Sequence, residues 1–127
     1  MVGRTRILVA DDDDNCRELV ARALGGPGTE VCTATDGGEL LELTSDDRGL
    51  DLIVTDINMP WMEGLQVLAS IREAGLTTPV LVITGITRPD LARSIDRMGH
   101  ARLLYKPFDV EQLRMAVADL FARETVK

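Results

Sequence analysis

At 127 residues the chain is long enough for one compact domain and too short for two ordinary ones, and with 45% hydrophobic residues it can build a core. Acidic residues outnumber basic ones 21 to 14, and the resulting net charge of −7 disfavours direct binding to phosphate backbones. No apolar run approaches the roughly 18 residues of a membrane span. The basic start leads only into the short stretch Ile7 to Ala10 before four aspartates, which does not fit a secretory leader. A cytoplasmic domain without membrane attachment is expected.

The first apolar run, Ile7-Leu8-Val9-Ala10, reads as a strand and ends in Asp11-Asp12-Asp13-Asp14. Cys16, Leu19, Val20, Ala23 and Leu24 then recur at i, i+3, i+4, i+7 and i+8, one stripe of a helix, which Gly25-Gly26-Pro27-Gly28 stops. Asp13 or Asp14 suits its N-cap. Val31 to Ala34 is a weaker run that suits an edge strand. Leu40, Leu41 and Leu43 mark a second helix, with Asp36 and Glu39 as a capping pair. Leu52-Ile53-Val54-Thr55 is a third strand and ends in Asp56. Leu65, Leu68 and Ile71 mark a helix closed by Gly75. Val80-Leu81-Val82-Ile83 is a strand ending in Thr84-Gly85. Leu91, Ile95 and Met98 mark a helix with Gly99 as its C-terminal cap. Leu103 to Tyr105 is the last strand and ends in Lys106-Pro107. Val110, Leu113, Val117, Leu120 and Phe121 mark the last helix, with Asp109 and Gln112 as its capping pair.

Five strands alternating with five helices predict an α/β fold with a parallel sheet and right-handed crossovers. Three of the strands are almost purely aliphatic, as strands covered on both faces must be. There is no repeat and no linker, and a single domain over 1–127, with its core at about 6–122, leaves no room for an output domain within these residues.

In open parallel sheets, ligands bind beyond the carboxyl ends of the strands. If the first and third strands are neighbours, Asp11, Asp12 and Asp56 meet there. Crowded carboxylates either raise one another's proton affinity or bind a cation, and an oxygen-only donor set favours Mg²⁺ or Mn²⁺. A solvated helix N-terminus accounts for Asp13 and Asp14. It does not account for Asp56 at the end of an apolar strand, where a carboxylate is costly. Thr84 alone is a strand-forming residue, and Lys106 alone is a snorkelling lysine. Together with the carboxylates, they converge on one end of the sheet. The cysteines, Cys16 and Cys32, lack ligand spacing and read as reduced thiols near the core. His100 reads as solvated or hydrogen-bonded.

Four segments in order resemble the receiver domains of response regulators in two-component signalling. They are Ile7-Leu8-Val9-Ala10-Asp11-Asp12, then Asp56-Ile57-Asn58-Met59-Pro60 with Gly64 after it, then Pro79 to Thr84-Gly85, then Lys106-Pro107-Phe108. The resemblance implies a flavodoxin-like, doubly wound sheet in the order 2-1-3-4-5 and a cis Lys106–Pro107 peptide. It makes Asp56 the phosphoacceptor and Asp12 and Asp56 direct Mg²⁺ ligands, with the backbone carbonyl of Asn58. Asp11 would reach the metal mainly through water, Thr84 would hydrogen-bond the phosphoryl group and Lys106 would pair with it. Three carboxylates would then be balanced by a divalent ion and one ammonium.

The implied partners are a sensor histidine kinase or histidine phosphotransfer protein and a downstream effector, on a monomer or weak dimer. The chain would be a signalling phosphoacceptor rather than a turnover enzyme, either standing alone or as the receiver of a longer regulator or hybrid kinase. A Mg²⁺-dependent aspartyl-phosphate phosphohydrolase is the alternative. Such enzymes usually carry a general-acid Asp two residues after the nucleophile, where this chain has Asn58. A flavin protein would need a phosphate loop after the first strand, and a pure docking module would not need the acidic set. Two features stand apart. The family often has an aromatic switch residue three positions before the lysine, here Leu103, and strand alternation is expected to point Tyr105 differently. Ile86 at the cleft mouth is expected to slow loss of the phosphate, and Asn58 to influence the same step.

Overall fold

The computed structural model describes residues 5–46, 49–57, 64–85, 87 and 90–125. Its elements follow the predicted alternation: β1 Thr5–Ala10, α1 Asp14–Leu24, β2 Thr29–Ala34, α2 Gly37–Asp46, β3 Leu52–Asp56, α3 Gly64–Glu73, β4 Val80–Thr84, α4 Leu91–Met98, β5 Ala101–Tyr105 and α5 Val110–Thr125. All strand pairs are parallel, and the order β2-β1-β3-β4-β5 is the one implied by the resemblance.

The aliphatic runs lie where such runs are needed. Every residue of β3 and β4 is buried, as are Ile7 to Ala10 of β1. Alternation divides these side chains between two cores. Leu8, Ile53, Val80 and Val82 face one side with Leu40, Leu68, Leu91 and Ile95 from α2, α3 and α4. Ile7, Val9, Leu52, Val54, Leu81 and Ile83 face the other with Val20 of α1 and Leu113, Val117 and Leu120 of α5. β2 and β5 are the sheet edges and begin two residues before their apolar runs, at Thr29 and Ala101. One side of an edge strand is open, so polar residues pair there without a burial cost. Leu19 is 40% exposed, which removes it from the expected core stripe of α1. The line that packs inward is Cys16, Val20, Ala23 and Leu24.

The caps fix where each helix leaves the sheet. Asp13 caps α1, its Oδ1 accepting from the Asn15 and Cys16 N–H groups at 3.0 and 3.4 Å. Asp109 and Gln112 form the expected reciprocal box, at 2.7 and 2.9 Å. The box at α2 is offset: Asp36 accepts from the Glu39 N–H, while Glu39 reaches back to the Thr35 N–H. Gly99 closes α4 at φ 75°, a backbone angle that disfavours a side chain. On the far side of that turn, the Arg72 guanidinium donates to the carbonyls of Leu76, Gly99 and His100 and ties α3 to the α4–β5 turn. His100 is itself exposed, and its carbonyl also accepts from the Val80 N–H.

Asp109→Ala removes a bonded cap and should cost about 1 kcal/mol in urea unfolding. Asp90→Ala, at the start of α4, removes a cap residue whose side chain makes no capping bond, and should cost less than half as much.

Candidate functional site

β1 and β3 are neighbours, so the chain leaves both strands at the same end of the sheet. There Asp11, Asp12 and Asp56 converge, with one carboxylate oxygen from each lying within 4.8 Å of the others. Asp11 is fully buried and Asp56 is 6% exposed, whereas Asp12 is exposed. Ionised carboxylates this close and this buried need compensation.

Lys106 supplies part of it. Its Nζ donates to Asp56 Oδ2 at 2.8 Å and to Asp11 Oδ2 at 3.0 Å. β5 brings it there: the Lys106 N–H donates to the Thr84 carbonyl at 2.8 Å, and the Lys106–Pro107 peptide is cis, as expected. Burial works against the ammonium, but the bonds from Asp56 and then Asp11 outweigh it and hold its pKa above the usual lysine range. A raised folded pKa means that this contribution to stability is complete below the ordinary lysine pKa and is lost only in strongly alkaline solution. The lysine is therefore a fixed positive charge throughout the neutral range.

The loop that carries the acids is itself held. Asp11 Oδ1 accepts from the Asp13 N–H at 2.9 Å, and the Asp11 carbonyl accepts from Arg17 Nη1 at 2.8 Å. On the neighbouring strand, the Thr55 hydroxyl donates to the Asp56 carbonyl at 2.8 Å. Thr84 is fully buried at the same end of the sheet, directly opposite Tyr105 in the β4–β5 register. Gly85 is roomy rather than obligatory, since a Cβ there would only touch the Lys106 Cβ at 4.0 Å.

The structure thus brings Asp11, Asp12, Asp56 and Lys106 into one cleft, with Thr84 buried at the same end of the sheet. Asn58, the expected carbonyl ligand, and Ile86, the expected shield against water, lie outside the described residues. One expectation is corrected. Tyr105 is two residues from Leu103, so alternation puts both on the same face of β5, and Leu103 packs into the α2–α4 core. Tyr105 lies at the open end of that face and is 41% exposed.

Two neighbours of the site come from the first turn of α1. Cys16 packs toward the core, and its thiol bonds to Asp11; burial first, then that bond and the Asp11 charge, push its pKa up to about 12. Arg17 carries no expectation from the sequence and reaches the Asp11 carbonyl because α1 begins at Asp14. The available signal was position, because the first turn of a helix that starts three residues after a strand must lie over the strand end.

The donor set fits a hard divalent cation: the three converging groups offer oxygen alone, and one of them, Asp12, opens to solvent. Among the described residues no helix is long and apolar enough to cross a membrane.

A parallel sheet in this order with paired acids and a lysine at its carboxyl end defines a class, and comparison with known proteins agrees. The sequence pattern of the response regulator receiver domain matches residues 7–118. The chain belongs to that family, the phosphoacceptor fold of two-component systems. It is 38% identical over 122 residues to the response regulator MprA of Mycolicibacterium vanbaalenii, covering 94% of this chain and 52% of that protein. It is 32% identical over 127 residues to the regulatory protein AtoC of Escherichia coli, covering 100% of this chain and 27% of that protein. The chain therefore spans about half or less of the curated relatives it matches. Among solved structures, the Francisella response regulator 1452 receiver domain superposes with a TM-score of 0.84 at 28% identity, covering 96% of this chain and 100% of that one. The Vibrio cholerae chemotaxis response regulator CheY4 superposes with a TM-score of 0.81 at 31% identity, covering 92% and 98%.

Two outcomes test this geometry. Lys106→Met should destabilise the metal-free protein by about 3 kcal/mol, because two buried carboxylates lose their shared partner; urea unfolding at neutral pH measures it. Cys16 should react with a maleimide at pH 8 at least about tenfold more slowly than an ordinary thiol, as read by peptide mapping of native and unfolded protein.

Proposed function

We propose that Asp56 is the phosphoacceptor of this receiver and takes a phosphoryl group from a histidine kinase or histidine phosphotransfer protein. The observation that carries the reading is the Lys106 ammonium bonded to both Asp11 and Asp56 at the mouth of a three-carboxylate cleft. In the transfer, an Asp56 oxygen forms the new O–P bond. The P–N bond of the phosphohistidine breaks, and its electron pair leaves with the imidazole. Phosphoryl transfer depends on positioning and charge neutralisation more than on covalent assistance. The chain supplies both.

Asp56 is held at the end of a buried strand and is already oriented by Lys106. Lys106 then stays beside the transferred group as a fixed cation, and the Thr84 hydroxyl donates to it from β4. Asp12, Asp56 and the Asn58 carbonyl would hold Mg²⁺ or Mn²⁺, with Asp11 reaching it mainly through water. When bound, the ion supplies neutralising charge for the phosphoryl oxygens. The protein catalyses its own phosphorylation and dephosphorylation and has no other substrate.

The product carries roughly one more negative charge than the free carboxylate. That extra charge draws on Lys106 and Thr84, which lie at the ends of β5 and β4. The face of α4, β5 and α5 is where a downstream effector reads the change, whether in a separate partner or in an attached domain. The domain's own charge of −7 points away from direct contact with nucleic acid.

Incubation with acetyl phosphate and Mg²⁺ should add one phosphate by intact mass. The gain should disappear in Asp56→Asn and with a chelator present, and it should fall in Thr84→Ala. A parent protein that gains no phosphate under these conditions would remove the reading.

A further inference from the structure

Asp12 differs from the other two acids of the cleft. Asp11 and Asp56 are buried and share Lys106, whereas Asp12 is exposed and its carboxylate has no hydrogen-bond partner among the described residues. An exposed aspartate samples its rotamers freely, so the backbone alone must aim this one into the cluster. That backbone is held on both sides of Asp12: the Asp13 N–H after it donates to Asp11 Oδ1 at 2.9 Å, and a side chain clamps the peptide before it. The Asp11 carbonyl, which belongs to the peptide joining Asp11 to Asp12, accepts from Arg17 Nη1 at 2.8 Å. The guanidinium is in turn held by Asp14 at 2.5 Å, and its side chain is only 18% exposed. A peptide group is planar, so fixing its carbonyl also fixes its N–H and the direction in which the Asp12 Cα leaves it.

We infer that Arg17 is a positioning residue that orders the Asp11–Asp12 peptide and thereby preorganises Asp12 as a metal ligand. The inference rests on the metal-binding reading above. Residues that orient ligands in this indirect way typically change metal affinity about tenfold or more when removed.

The test is calorimetric titration with Mg²⁺ of the parent, Arg17→Met, Arg17→Lys and Asp14→Asn, together with thermal midpoints in chelator. Arg17→Met keeps most of the apolar stem and loses the donors. It should bind Mg²⁺ about tenfold more weakly, while at saturating Mg²⁺ its rate of phosphorylation by acetyl phosphate returns to that of the parent. Arg17→Lys keeps one donor and should recover part of the affinity. Asp14→Asn loses the ion pair to the guanidinium but leaves both the Arg17 donors and an amide acceptor, and should weaken binding less than Arg17→Met does. Equal Mg²⁺ affinity in the parent and Arg17→Met, with or without a lower thermal midpoint, would overturn the inference and assign Arg17 to the fold alone. The same holds if saturating Mg²⁺ does not restore the rate. If Arg17→Met does not fold, an Arg17→Lys protein with the parent's affinity but a lower midpoint overturns it equally. A parent that binds no Mg²⁺ would instead remove the metal reading from which it starts.

Discussion

One ammonium group joins the two halves of this domain. Lys106 comes from the last strand, and its partners Asp11 and Asp56 come from the first and third. The cleft therefore exists only when β1, β3, β4 and β5 are all in register. Without the lysine, two buried carboxylates would face each other in a medium that solvates charge poorly. With it, the two can lie side by side, each bonded to the same ammonium. The rest of the architecture serves this placement: aliphatic strands that cannot shift without exposing a core face, and caps that fix where each loop turns away from the sheet.

Strand alternation also sorts the site by side. Asp11, Asp56 and Lys106 continue the phase of Val9, Val54 and Leu104, which face α1 and α5. Thr84 and Tyr105 continue the phase of Val82 and Leu103, which face α3 and α4. Asp11, Asp56 and Lys106 thus belong to one side of the sheet, and Thr84 and the exposed Tyr105 to the other. Thr84 and Lys106 are joined directly across this divide by a backbone hydrogen bond.

Most of this was legible in the sequence because it rests on periodicity and on strand ends. Uninterrupted aliphatic runs announced the central strands, and the polar residue closing each run announced the cleft. The errors have physical causes. The polar, half-buried Thr29 and Glu30 of β2 and Arg102 of β5 interrupt the apolar pattern, so each edge strand begins two residues before its apolar run. Leu19 matched the helical stripe by spacing but sits at its margin. Tyr105 was counted from the lysine instead of from Leu103, which reversed its face. Arg17 and Cys16 gave no signal of their own. Their importance comes from the three-residue turn that folds α1 back over the end of β1, and a contact between a side chain and a backbone carbonyl leaves no pattern in a sequence.

The exposed ring of Tyr105 and the cleft's lysine are successive residues, joined by one peptide bond. A backbone movement that carries Tyr105 therefore also moves the residue whose ammonium is bonded to Asp56. Linkage makes such coupling symmetric. A protein that grips this edge more tightly in one state of the acceptor must stabilise that state by the same factor. In such a system the reader of the signal is also one of its determinants, and occupancy of the output surface helps set how long the message lasts.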